Sequence, residues 1–294
     1  MKRNFMKVVL YILTIILTTL VSGQGLINIQ QEAKLGYVGN YYDVCETEDG
    51  YYALGTINNQ NEVLIWLTRY NYAGQVIWSR EFVKEGSNPI GLPYLWWGAK
   101  VSLAKDGGCY ILGKQVSYLG GGVNEFKGIL VKITSNGNMD WVLYHDVLAD
   151  NTTQCDLVTN KDGSVGLVGQ DIGRIGHFIT VSSNGKLLSD KTYKEILDTH
   201  LELSSLAEVN SGGFVLSGSL KTGADRDQMV LLRTNALGNL IWRKSYFSGI
   251  YEQGDSIKAY PNSLLVTKDE KIVVGGKIRK GSIFNLQAFV LKRI

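Results

Sequence analysis

Residues 105–114 read "KDGGCYILGK": a turn pair, Asp106-Gly107, followed by an apolar run that closes on Gly113. The same closing pattern recurs as "YYALG" ending at Gly55, "VGLVG" at Gly169, "FVLSG" at Gly218 and "IVVGG" at Gly276. The shared glycines are 58, 56, 49 and 58 residues apart. Each run follows a turn signal: Asp49-Gly50, Asp106-Gly107, Asp162-Gly163, Ser211-Gly212 and the weaker Asp269-Glu270. Asp-Gly between two apolar runs predicts a hairpin, because glycine adopts positive φ at little cost.

Three more runs belong to each unit. A first strand precedes the turn: "YDVCET", "AKVSLA", "CDLVTN", "SLAEVN" and "NSLLVT". A third follows the shared glycine: "VLIWLTRY", "GILVKITS", "GHFITVSS", "QMVLLRTN" and "QAFVLKRI". A fourth follows a glycine turn: "GQVIWSREF", "GNMDWVLYH", "GKLLSDKTY" and "GNLIWRKSY". Tryptophan holds one offset in three of these, Trp78, Trp141 and Trp242, with Ser189 in the third copy. Four short strands in a unit of about 50 residues are the signature of a propeller blade.

The fifth unit stops at its third strand, and the spare copy of the fourth stands at the other end of the chain. "GLINIQQEA", Gly25 to Ala33, puts Gly25 at the turn position and Ile29 at the tryptophan position. The reading is therefore all-β: a single five-bladed β-propeller of four-stranded antiparallel blades over residues 25–294. Residues 26–33 would pair antiparallel with 287–294, so that no strand edge is left open at the seam.

Residues 1–24 read as a signal peptide. Lys2, Arg3 and Lys7 precede the uncharged run Val8 to Val21, with small polar residues at Ser22-Gly23-Gln24. Such a run is short of the roughly 20 residues of a membrane span, so cleavage near Gly23 or Gln24 is expected, with no span afterwards. Removing the three leader cations from 30 Lys and Arg leaves 27, against 27 Asp and Glu. A neutral mature chain argues against nucleic acid or an anionic membrane face as partner. Cys45, Cys109 and Cys155 each sit in an apolar run and read as small buried hydrophobes.

The units resemble the secreted repeat proteins of Bacteroidota that carry "DGGYILGG…LVKLDSNGNIIWSKTYG"-type blades. The carriers are "KDGGCYILGK", "GILVKITSNGNMDW", "NSGGFVLSGS" and "LLRTNALGNLIWRKSY". The resemblance implies export and a propeller; its motifs are structural. Members of that group often end in a type IX secretion sorting domain, which the residues up to Ile294 do not show. "TNALGNLIW" is also similar to the quinoprotein-like repeats of outer-membrane assembly scaffolds, and "SNGNMDW" to the Asp-box turn of sialidases.

Motifs of catalysis are sparse. His145, His177 and His200 fall in different units without ligand spacing, and no nucleophile elbow, P-loop or dinucleotide fingerprint occurs. Asp225 and Asp227 in "TGADRDQ" lack the remaining ligands of a calcium loop. Asp43, Asp156 and Glu208 on first strands are the candidate carboxylates for glycosidase chemistry, which needs two at a set separation. Two long connections, Val83–Gly98 and Val116–Gly128, should emerge on one face and carry Tyr94, Trp96, Trp97, Tyr118 and Phe126. Aromatics on such loops suit sugar stacking or a protein partner; for the tryptophans, capping the gap between the first two blades is the alternative. The expectation is an exported monomer, secreted or periplasmic, acting as a non-catalytic binding or scaffold module for a protein or glycan. No cofactor and no metal are called for; a glycan-active enzyme is the alternative.

Overall fold

The computed structural model describes residues 38–59, 62–82, 95–120, 123–145, 155–171, 175–193, 200–221, 227–246, 257–280 and 283–291. The first sheet holds β1 (Val38–Glu46), β2 (Gly50–Asn59), β3 (Glu62–Asn71) and β4 (Val76–Phe82). The second holds β5 (Leu95–Leu103), β6 (Cys109–Gly120), β7 (Val123–Ile133) and β8 (Met139–His145). The third holds β9 (Asp156–Thr159), β10 (Val165–Gln170), β11 (Gly176–Val181) and β12 (Leu187–Thr192), and the fourth β13 (His200–Glu208), β14 (Phe214–Lys221), β15 (Asp227–Thr234) and β16 (Leu240–Tyr246). The fifth holds β17 (Ile257–Val266), β18 (Ile272–Lys280) and β19 (Ile283–Leu291), three strands among the described residues. Every sheet is an antiparallel meander, and no helix occurs among the described residues.

The core lies between sheets rather than within one. Leu54, Ile65 and Leu67 of the first sheet pack with Ile111, Ile129 and Val131 of the second. Tyr110, Leu112 and Leu130 on the second sheet's other face meet Leu167, Ile179 and Val181 of the third. Val168 and Phe178 meet Leu216 and Val230, and Val215 and Leu231 meet Ile272 and Val274. Successive first strands touch, β1 with β5, β5 with β9, β9 with β13 and β13 with β17. Fourth strands show mostly exposed residues, as in the pattern of β4 and β16. Five antiparallel sheets stacked face to face, first strands inward and fourth strands outward, make a propeller-like architecture.

First strands are longer than the sequence suggests because most carry a bulge in mid-strand. Register shifts occur between Tyr41 and Asp43, Gly98 and Lys100, Leu203 and Ser205, and Pro261 and Ser263. An extra residue there breaks the alternation by which a strand is read. It also explains the shared glycines. A Cβ on Gly55 would stand 2.5 Å from the Asn40 carbonyl oxygen, and one on Gly218 would stand 2.3 Å from that of Glu202. Glycine is what lets the bulged first strand approach the second.

Sheets are joined by a repeated clasp at their outer strands. Trp78 Nε1–H donates to the Ser135 carbonyl at 3.1 Å, and its ring covers the turn glycine Gly137 of the next sheet. Trp141 repeats this on Ser183 and Gly185. In the third sheet, where Ser189 replaces tryptophan, Tyr193 donates to the Gly238 carbonyl at 2.7 Å and Phe178 lies against Gly238. An inner clasp works in parallel: Tyr52 Oη–H donates to the Gly107 carbonyl and Tyr110 Oη–H to that of Gly163.

Candidate functional site

The residue after the bulge in β1, β5, β13 and β17, and Asp156 at the matching register of β9, occupy one position, called axial below, where successive first strands meet. Opposite Leu54, Leu112, Val168, Ser217 and Gly275 of the second strands stand Asp43, Lys100, Asp156, Ser205 and Ser263. Two of these are the carboxylates singled out in the sequence; Lys100 was not foreseen. Aligning the units on their shared glycines would have found it, since 100, 156, 205 and 263 lie at one offset before Gly113, Gly169, Gly218 and Gly276.

Both aspartates reach across to the next sheet. Asp43 Oδ2 accepts the Val101 N–H at 2.9 Å. Asp156 Oδ2 accepts the Ser205 hydroxyl at 2.5 Å and the Leu206 N–H at 3.3 Å, while its Oδ1 takes the Leu157 N–H at 3.0 Å. Neighbouring first strands are joined similarly by Ser102 with Thr159 and by Ser204 donating to the Pro261 carbonyl. Burial pushes the Asp43 carboxyl above the usual range, against the nearby Lys100 charge and the Val101 N–H, with Asp156 adding repulsion. Burial likewise raises Asp156, opposed by the Ser205 hydroxyl and Lys100. Lys100 thus supplies positive charge to both carboxylates.

Glu208 does not join them. It lies at the far end of β13, opposite Phe214, where it accepts the Lys161 N–H at 3.4 Å. His145 and His177 form a separate group with Asp190 on the facing sides of the second and third sheets. His177 Nδ1 lies 2.8 Å from Asp190 Oδ1, and His145 Nε2 lies 3.7 Å from Asp190 Oδ2. Among the described residues no three His, Cys, Asp or Glu side chains converge to hold a metal ion.

The aromatic positions divide. Trp96 departs from the interaction surface read in the sequence: it is 1% exposed, packed with Leu54, Ile65 and Phe82 between the first two sheets. The reason is that β5 begins at Leu95 and pairs Trp96 with Gln115, whose Oε1 accepts the indole N–H at 3.1 Å. Phe126 is 39% exposed, with Lys114 Nζ 5.5 Å from its ring centre. Val116–Gly128 is no loop for most of its length but two paired arms, from Val116 opposite Phe126 to Gly120 opposite Val123. Tyr94 and the side chains of Trp97 and Tyr118 lie outside the described residues, as does most of Val83–Gly98.

No protein-family model matches the chain, and no curated protein matches it. Solved structures do. A protein of unknown function from Dyadobacter fermentans is 11% identical, with 88% of this chain and 87% of that one covered at a TM-score of 0.54. A subtype N10 neuraminidase-like protein of a little yellow-shouldered bat isolate is 10% identical, covering 86% and 80% at 0.50. A GH43 β-1,3-galactosidase is 12% identical, covering 81% and 53% at 0.47. The first two likenesses bear on the fold alone, and agree with an all-β, propeller-like protein of antiparallel four-stranded sheets.

Proposed function

We propose that the protein is a non-catalytic binding or scaffold module, exported by the leader in residues 1–24, with a protein or glycan as its partner. The observation that carries this reading is the use made of the axial carboxylates. A glycosidase pair needs one carboxyl free to hand over a proton and another free to attack or to activate water. Asp43 and Asp156 instead hold backbone amides of the next sheet. Removing such an acceptor leaves a buried donor without a partner. The finer architecture belongs to the same proposal: five blades in a closed ring, its first two carrying the aromatic positions Tyr94, Trp97, Tyr118 and Phe126 toward a partner. The test is capture by the mature protein from its native envelope, with hydrolysis of the captured glycans assayed in parallel. Capture without turnover supports the module; turnover lost in Asp43→Asn or Asp156→Asn would overturn it.

One observation favours the second reading, a glycan-active enzyme. Both aspartates are raised by burial around a shared lysine, and raised carboxyls are what general acids require. The same assay decides between them.

A further inference from the structure

We infer that the step between the second and third sheets is a sugar subsite; this rests on the binding-module reading above and narrows the partner to a glycan. An uncharged pyranose lies on Phe126 and gives hydroxyl hydrogens to Asp171 and His177.

The step comes from unequal hairpins. β6 and β7 stay paired as far as Gly120 opposite Val123, whereas β10 and β11 part at Gln170 opposite Gly176, directly after the shared glycine. The second sheet therefore overtops the third. Lys114 pairs with Gly128 and Gly128 with His145, so all three share a face. His145 turns that face toward Asp190 of the third sheet. Phe126 is two residues from Gly128 on β7 and so looks the same way, above the end of the third sheet.

At that end two acceptors face each other. His177 Nδ1 lies 2.8 Å from Asp190 Oδ1. A carboxylate only accepts, so the ring hydrogen is on Nδ1, and Nε2 of the neutral ring is an acceptor. Nε2 is buried, on a side chain 8% exposed, and has no hydrogen-bond partner. Asp171 Oδ2 stands 3.6 Å from it, a second acceptor and too far to bond. The Asp171 side chain is 30% exposed, and its Oδ1 is anchored by the Ile175 N–H at 2.8 Å. A donor that displaces Asp171 slightly and enters between the two satisfies both. An ammonium would carry the hydrogens, but Lys114 Nζ already lies 5.5 Å from the centre of the Phe126 ring and repels a second cation there. Neighbouring sugar hydroxyls carry them without charge, and Phe126, 39% exposed, offers the stacking face.

Titration of the isotope-labelled mature protein with methyl glucoside, methyl galactoside and methyl mannoside, followed by NMR, tests it. At least one should shift the His177 ring nitrogens and the Ile175 amide together. Phe126→Ala should weaken that binding by about tenfold. Asp171→Asn should abolish it without lowering the melting temperature, because the new amide donates to Nε2 and closes the site from within. No shift with any of the three at the highest soluble concentration would overturn the inference. So would shifts that both variants leave unchanged, or shifts produced by methylammonium and by none of the sugars. Hydrolysis of the bound glycoside would instead overturn the binding-module reading and leave the subsite standing.

Discussion

At the scale of single residues the axial position is where charge, burial and fastening meet. Burial raises Asp156, so the folded chain holds that proton more tightly than the unfolded one. Between the two values the folded state binds more protons, and stability falls as pH rises. Relative to Asp156→Asn, which cannot ionise, the wild type should therefore lose stability as pH rises above the unfolded carboxyl value of about 4, measured by thermal melts. Asp106 has the opposite sign. Its partial burial is outweighed by the Lys132 ammonium at 2.6 Å and the Gly108 N–H, which hold it below the usual carboxylate range. Relative to Asp106→Asn, the wild type should lose stability as pH falls below about 4. Lys100→Met removes the cation that serves both axial carboxylates and should cost about 1–3 kcal/mol at pH 7, and less at pH 4 where those groups take up protons. Equal losses at both pH values would show that Lys100 acts only through packing.

At the scale of elements the bulge and the clasp make the most specific demands. Gly218→Ala would set a methyl 2.3 Å from the Glu202 carbonyl oxygen, where only backbone movement can relieve it. A loss of about 2 kcal/mol or more in urea unfolding is expected, against little change for Gly→Ala in an unstrained strand position. Trp141→Ala should cost about 2–4 kcal/mol, from lost ring packing on Gly185 and an unmade hydrogen bond to Ser183. Ser189→Trp, which restores the repeat pattern, should destabilise rather than help, because Phe178 already lies against Gly238 where that ring would go. Strand runs, turns and shared glycines were readable because period-two alternation and Asp-Gly pairs are local. The bulges were not. An extra residue at Tyr42, Ala99, Ser204 or Asn262 reverses the alternation, so the sequence reading begins the first strands at or beside it and misses the stretches Val38–Tyr41 and Leu95–Gly98. Missing Leu95–Gly98 is what left Trp96 in a loop and made a core residue look like a binding residue.

At the scale of the whole molecule the cohesion among the described residues lies between sheets: apolar clusters, tryptophan and tyrosine clasps, and the aspartates Asp43 and Asp156, which cross from one first strand to the next. A chain built this way should unfold as one cooperative unit, because no sheet buries its faces alone. Its function is harder to see in sequence than its fold, since an aspartate that fastens and one that catalyses are the same letter. The direct measurement is the unfolding free energy of Asp43→Ala and Asp156→Ala beside the wild type, by urea titration at pH 7. Fasteners leave the Val101 and Leu206 amides and the Ser205 hydroxyl without acceptors, so each variant should lose about 2–4 kcal/mol. Catalytic carboxylates crowded for chemistry commonly give the reverse, since removing them relieves strain. Variants as stable as the wild type, or more so, would contradict the account and mark the axis as an active site.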